Sequence, residues 1–238
     1  MEQHASGGMW SLMSVSCILL VRNGVETIER ELRAIDGVVI AHLPGSELIV
    51  AEDGSDEATR AAVERVRGAL SLRVVGGAER KGYAETLADA VAAASWPIAF
   101  VCDGGLQYDP NEFWRVWEGR ERADVVIGRR RETVFRRALA LWLRLWFGVP
   151  LRDAASGFRI YGRRVRDEIL ARGLFFRHAV SAEVALRALH AGMRVGEVPI
   201  TEPAGAARVR HERVLPRAVW MFLADLRRLK QEWRRRAA

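Results

Sequence analysis

The stretch ELIVAEDGSDEATRAAVERVRGAL, Glu47 to Leu70, sets the architecture. Its opening ELIVAE is a short apolar run between acidic ends, which suits a strand covered on both faces. Asp53-Gly54-Ser55-Asp56 then turns the chain, and Ser55 or Asp56 can cap the helix that DEATRAAVERVRGAL predicts. The same strand, turn and helix sequence recurs on both sides. VSCILLV (Val15 to Val21) is a buried strand, followed by a helix with apolar positions near Ile28, Leu32 and Ile35. LRVVGG leads into YAETLADAVAAA, PIAFVC into PNEFWRVWEG, and ADVVIG closes the series. Repeated βα units of this length predict an α/β domain with a mostly parallel central sheet and helices on both faces. Ligands in such sheets gather at the C-terminal strand ends, here Val21-Arg22-Asn23, Glu52 to Ser55, Gly76-Gly77 and Asp103-Gly104-Gly105.

After Gly128 the pattern changes. TVFRRALALWLRLWFG reads as a helix that is apolar around most of its circumference, SGFRIYGRR as a short strand entering a helix, AVSAEVALRALHAG as a helix and MRVGEVPI as a strand. The tail is a basic amphipathic helix over 214–238, with Leu215, Val219, Trp220, Phe222, Leu223, Leu226, Leu229 and Trp233 on one stripe. We expect one domain over 1–213, with a nucleotide-binding half at about 14–128 and an acceptor half at about 129–213, followed by that helix.

Charge divides the chain in the same place. Residues 1–128 carry 12 basic and 20 acidic side chains, and residues 129–238 carry 25 and 10, so a net charge of +7 conceals a strongly basic second half. An anionic partner for that half is expected: phosphate groups or an acidic membrane surface. Arginine and aromatic residues follow no nucleic-acid module, so nucleic acid is not expected. No apolar run is long enough to span a bilayer, and the N-terminus lacks the pattern of a secretion signal. Cys17 and Cys102 both fall in apolar strands, as buried thiols of a reducing cytosol would.

Five segments, in order, carry a resemblance to the family 2 glycosyltransferases, in particular the soluble dolichol-phosphate or polyprenyl-phosphate mannose synthase branch. They are ELIVAEDGSDEAT, KGYAETLADAVAAA, CDGGLQYDP, RDAASGFRIYGRR and SAEVALRALHAGMRVGEVPI, within about residues 14 to 200. The resemblance implies a GT-A, Rossmann-like fold and an inverting transfer of sugar from a GDP- or UDP-sugar. The acceptor it implies is polyprenyl phosphate, met by a cytoplasmic protein peripheral to the inner membrane face. It assigns the nucleotide to Asn23, Glu52, Asp53, Lys81 and Asp103, and a Mg²⁺ or Mn²⁺ ion to Asp103 and Gln107. Asp103, Arg130 and Asp153 become the catalytic candidates, and Arg130, Arg136, Arg137 and Arg159 the acceptor-phosphate candidates. For a hydroxyl acceptor, Asp153 or Glu183 would serve as base.

Purely structural roles fit the same residues. Asp103 with Gly104-Gly105 can simply turn the chain, Asp53 can belong to a helix cap, and each arginine can belong to a solvated basic face. Asp109-Pro110-Asn111-Glu112 reads as a helix start, which leaves Asp109 a cap rather than a metal ligand. The chain also departs from the family at LVRNG, at Gly105, where a second carboxylate is usual, at Ala140, where a serine is usual, and at TEPAGAARVRHERV after Ile200. These departures motivate the alternative of a catalytically degenerate binding or scaffold protein.

Overall fold

The computed structural model describes residues 14–174, 179–203 and 216–237. Strands β1 (Ser16–Val21), β2 (Glu47–Asp53), β3 (Leu72–Gly77) and β4 (Ala99–Asp103) alternate with helices α1 (Ile28–Ile35), α2 (Glu57–Arg67) and α3 (Tyr83–Ala93). Helix α4 (Phe113–Gly119) follows a 3-10 turn and leads to β5 (Val125–Arg129) and α5 (Val134–Phe147). Then come β6 (Phe158–Tyr161), the short α6 (Arg163–Val165), α7 (Val180–His190), β7 (Val195–Pro199) and α8 (Pro216–Ala237). Among the described residues the seven strands form one sheet in the order β3-β2-β1-β4-β6-β5-β7. Only β6 runs antiparallel to its neighbours, so the sheet is mixed and mostly parallel.

Alternation along each strand sends side chains to two separate cores. Cys17, Leu19, Leu48, Val50 and Phe100 pack with α1, α2 and α4. Ile18, Leu20, Ile49, Ala51 and Val101 pack with α3, α7 and α8. Burial of β1 along its full length explains its unbroken apolar run. Cys17 and Cys102 are buried free thiols, and burial raises the pKa of both.

Local helix-start chemistry follows expectation. Asp56 caps α2 by accepting from the Thr59 amide at 2.8 Å, and Asp109 accepts from the Asn111 amide at 2.9 Å ahead of Pro110.

The two apolar, arginine-bordered helices pack differently from one another. The part of the tail stripe that is described packs inward: Leu226 and Leu229 of α8 are fully buried, and His190 stacks on Trp233 at 4.2 Å. Leu215 lies outside the described residues, and the side chains of Val219, Trp220 and Phe222 are likewise outside them. Helix α5 instead turns only part of its surface inward, with Leu143 buried and Val134, Phe135, Leu141 and Leu145 exposed. Tertiary packing assigned the stripes: α8 covers α5 from one side, through contacts such as Phe147 with Trp233, and the outer side of α5 has no cover among the described residues. The segment after Pro203, including His211, lies outside the described residues as far as 215.

Candidate functional site

A cavity of about 800 Å³ opens at the C-terminal ends of β1, β2 and β4, lined by Arg22, Asp53, Arg80, Lys81, Tyr83, Asp103 and Gln107 among others. Its place follows from the topology. Helices leave from these strand ends to both faces, and the crevice remains between them.

Asp53 ends β2 and is nearly buried. Its Oδ1 accepts from the Lys81 amide at 2.9 Å and the Gly82 amide at 2.7 Å, tying the loop before α3 to the strand end. Gly54 has φ +65°, and a Cβ there would come within 2.7 Å of the Arg80 backbone, so this close approach requires glycine. Lys81 faces outward: its Nζ meets Asp89 at 2.5 Å, which raises its pKa.

Pleating separates Asp53 from its neighbour. Glu52 faces α2, where Oε1 accepts from the Ser55 amide at 2.6 Å and Oε2 is buried without a hydrogen-bond partner. Glu52 lines a smaller hollow with Arg60 and Arg67, apart from the residues that line the main cavity. Asn23 is exposed with φ +53°. Its amide donates to Ser55 Oγ and its side-chain oxygen accepts from the Asp56 amide, both at 3.0 Å, so it joins two strand-end loops.

Asp103 and Gln107 both line the main cavity. The Tyr83 hydroxyl donates to Asp103 Oδ1 at 2.8 Å. Burial and the facing Asp103 carboxylate raise the Tyr83 pKa well above its ordinary value, so the phenol remains a donor at neutral pH. The other Asp103 oxygen rests on Gly157, where a Cβ would approach it to 1.8 Å. The glycine of SGF is therefore a space requirement. Gln107 donates its amide to the Gly104 carbonyl at 3.0 Å, leaving its oxygen as the acceptor end.

The loop after Asp103 is held from a direction the sequence did not suggest. Gly105 at φ +87° and Leu106 at φ +52° direct their amides to the buried Glu31 of α1, at 3.1 and 2.7 Å. Glu31 thus fixes the segment in which the second carboxylate is missing.

The basic half is arranged differently. Arg130 and Asp153 form a buried bidentate pair with two contacts of 2.7 Å. Burial alone would raise the Asp153 pKa, yet the Arg130 hydrogen bonds and charge hold it below the usual carboxylate value. Arg159 is fully buried and donates to the carbonyls of Ser156, Ser181 and Ala154. Arg136 binds Glu202 at 3.2 Å, and the exposed Arg137 binds Glu132 at 2.8 Å. Glu183 is fully buried beside Arg187. None of these six residues is among those lining the main cavity. Asp53, Lys81, Asp103 and Gln107 thus share the lining of one cavity, and the acceptor-phosphate candidates and both candidate bases are not part of that lining.

Sequence reasoning placed Arg22 at a ligand-gathering strand end without giving it a role, and missed Arg80, Tyr83, Glu85, Leu174 and Met221, all of which line the cavity. Arg22 had a strand-end signal. Arg80 and Tyr83 flank the Lys-Gly pair, whereas Leu174 and Met221 arrive from distant segments and have no local signal.

No protein-family model matches the chain. It is 29% identical over 218 residues to the glycosyltransferase AglD of Haloferax volcanii, an alignment that covers 83% of this chain and 34% of that protein. It is 23% identical over 204 residues to the dodecaprenyl-phosphate galacturonate synthase of Rhizobium johnstonii, covering 81% of this chain and 60% of the relative. The chain therefore spans about a third of one curated relative and three fifths of the other. Glucosyl-3-phosphoglycerate synthase of Mycobacterium tuberculosis, solved with Mn²⁺, UDP and glucosyl-3-phosphoglycerate, superposes with a TM-score of 0.70 at 20% identity. That match covers 95% of this chain and 84% of that one. A second structure of the same synthase gives a TM-score of 0.68 at 24% identity, covering 92% and 82%.

Proposed function

From a chain that has the GT-A fold and is a relative of the family 2 glycosyltransferases, we propose an inverting glycosyltransferase that moves a sugar from a nucleoside diphosphate donor to a polyprenyl phosphate. The observation that carries this reading is the strand-end cavity, whose lining joins Asp53 and Asp103 to Arg22 and Arg80. Carboxylates suit the base and ribose donors of a nucleotide, and the cations suit its diphosphate. A UDP- or GDP-sugar has this chemistry. The galacturonate synthase among the relatives is named for a polyprenyl phosphate, and the superposed synthase holds UDP and Mn²⁺. Both supports point the same way.

Among the described residues no cluster of three or more His, Cys, Asp or Glu side chains could hold a metal ion. Asp103 and the Gln107 oxygen nevertheless fit a divalent ion that arrives with the donor and takes further oxygen ligands from the diphosphate. When bound, Mg²⁺ or Mn²⁺ would offset charge developing on the leaving diphosphate. Tyr83 orients Asp103 by its hydrogen bond, and Asp53 anchors the loop that presents Lys81. Asp153, paired with Arg130, and the buried Glu183 are poorly placed as bases. A phosphate acceptor removes that need, because it is already an anion at neutral pH. The setting proposed is the cytoplasmic membrane face, approached peripherally, where a polyprenyl phosphate of the kind the galacturonate synthase is named for would be met.

Turnover with a panel of UDP- and GDP-sugars, Mg²⁺ or Mn²⁺, and a short polyprenyl phosphate tests the reading. Glycolipid formation with one pair is the expected result, and no turnover with any pair would overturn it. Gly105 and the Tyr83 bond on Asp103 favour a second reading, a binding protein without catalysis. Calorimetric nucleotide affinity without turnover would select it.

A further inference from the structure

Among the described residues, exposed large hydrophobic side chains are concentrated on one helix. Val134, Phe135, Leu141 and Leu145 are 87%, 51%, 57% and 75% exposed, and all belong to α5. Val134, Leu141 and Leu145, with the exposed Ala138, recur at i, i+4, i+7 and i+11, so they form a single stripe along the helix. A contiguous apolar face of this kind marks an interaction surface in a folded protein.

The borders of the stripe identify its partner. On one side stand the exposed Arg137 and Arg144. On the other, Phe135 and Trp142 lead to Trp146, which Arg227 and Lys230 of α8 cover at 5.6 and 5.4 Å. Helix α5 carries no acidic residue, and the neighbouring Glu132 engages Arg137 at 2.8 Å. Apolar residues along the middle, aromatic rings at one edge and cations on both sides match a helix lying in the plane of an anionic bilayer. A second copy of the chain would fit poorly, because the two cationic borders would face each other.

We propose that the outer face of α5 docks this protein on an anionic membrane surface, with Val134, Leu141 and Leu145 entering the acyl boundary and Arg137 and Arg144 meeting headgroup phosphates. The assignment deepens the membrane setting of the proposed function and rests on that reading for its purpose, while the surface itself is argued from exposure and charge. It also has a route to the cavity. Helix α8, which packs on the inner side of α5, supplies Met221 to the cavity lining.

The test is flotation of the full chain with vesicles of phosphatidylcholine alone or with a quarter phosphatidylglycerol, without nucleotide. Binding to the anionic vesicles is expected, with at least a tenfold loss for the double variant L141E/L145E. The variant R144E should lose about fivefold or more on anionic vesicles and little on neutral ones. Reversal of Arg65 and Arg67 on α2, both exposed, should leave binding within about twofold, which separates the face from general basicity. Thermal melting of L141E/L145E within a few degrees of the parent would show that the fold is intact. Light scattering is run on the same samples. A dimer broken by L141E/L145E, with vesicle binding unchanged, would overturn the proposal in favour of self-association. Absence of vesicle binding by the parent would overturn it outright. UDP and GDP titrations of the free protein report separately on the donor site, so its failure would not be confused with failure of this surface.

Discussion

The strand-end cavity and the basic half use charge in opposite ways. Asp53 and Asp103 are oriented by backbone amides and a phenol while still lining the crevice. Arg130 and Arg159 are buried and engaged by the protein itself. An oriented charge beside a cavity can act on a ligand, whereas a charge enclosed by its partners holds the fold together. Arginine richness in the second half therefore told less about what lines the cavity than two carboxylates at strand ends.

The sharpest way to break this contrast is Asp153→Asn. Leaving Arg130 buried without its countercharge should cost about 3–5 kcal/mol of unfolding free energy in denaturant titration, with nucleotide affinity of the folded fraction unchanged. The pH dependence follows from the lowered Asp153 pKa. Stability from this pair is complete above the ordinary carboxylate pKa of about 4 and is lost as pH falls through the lower folded value. Asp153→Asn should remove that part of the acid sensitivity, as melting curves between pH 3 and pH 7 would show.

Asp103→Asn should lower sugar transfer by about 100-fold or more while leaving the melting temperature within a few degrees. An equal loss of stability would place Asp103 with the structural charges. Tyr83→Phe removes the hydroxyl bonded to Asp103 and should lower kcat by about tenfold, with a higher metal concentration needed for half-maximal rate and little change in donor KM. Unchanged metal dependence would mean that the phenol only fills space.

Gly105→Asp sharpens the question of the absent second carboxylate. It should tighten Mn²⁺ binding by about tenfold, since added ligand charge raises affinity. At φ +87° the side chain should also cost about 1–2 kcal/mol of stability. The smallest effect is expected from Arg137→Gln, whose exposed ion pair with Glu132 should contribute less than about 1 kcal/mol.

Much of the fold could be read from short stretches because its causes are local. The unbroken runs at β1 and β2, the caps at Asp56 and Asp109, and the glycine turn at Gly54 each depend on a few adjacent residues. That Asp53 and Asp103 stand at strand ends was legible for the same reason. What an arginine binds depends on chain segments far away. Arg159 is completed by Ser181, 22 residues on, and the Gly105 amide by Glu31, 74 residues back. No pattern near Arg159 or Gly105 reports those partners.

Glu52 and Asp53 show the boundary clearly. The family resemblance assigned both to the nucleotide, and the two-residue pleat sends them to opposite faces of the sheet. Helices α5 and α8 make the same point on a larger scale. Both carry an apolar stripe bordered by arginine, and only packing decides that Leu226 and Leu229 are buried while Leu141 and Leu145 meet solvent. Sequence by itself determined the alternating elements, the strand-end carboxylates and the basic second half, because periodicity, turn chemistry and composition are properties of neighbours. Tertiary structure alone decided which charges remain open at the cavity and which apolar face is left for a partner, because both depend on what else the fold brings within contact distance.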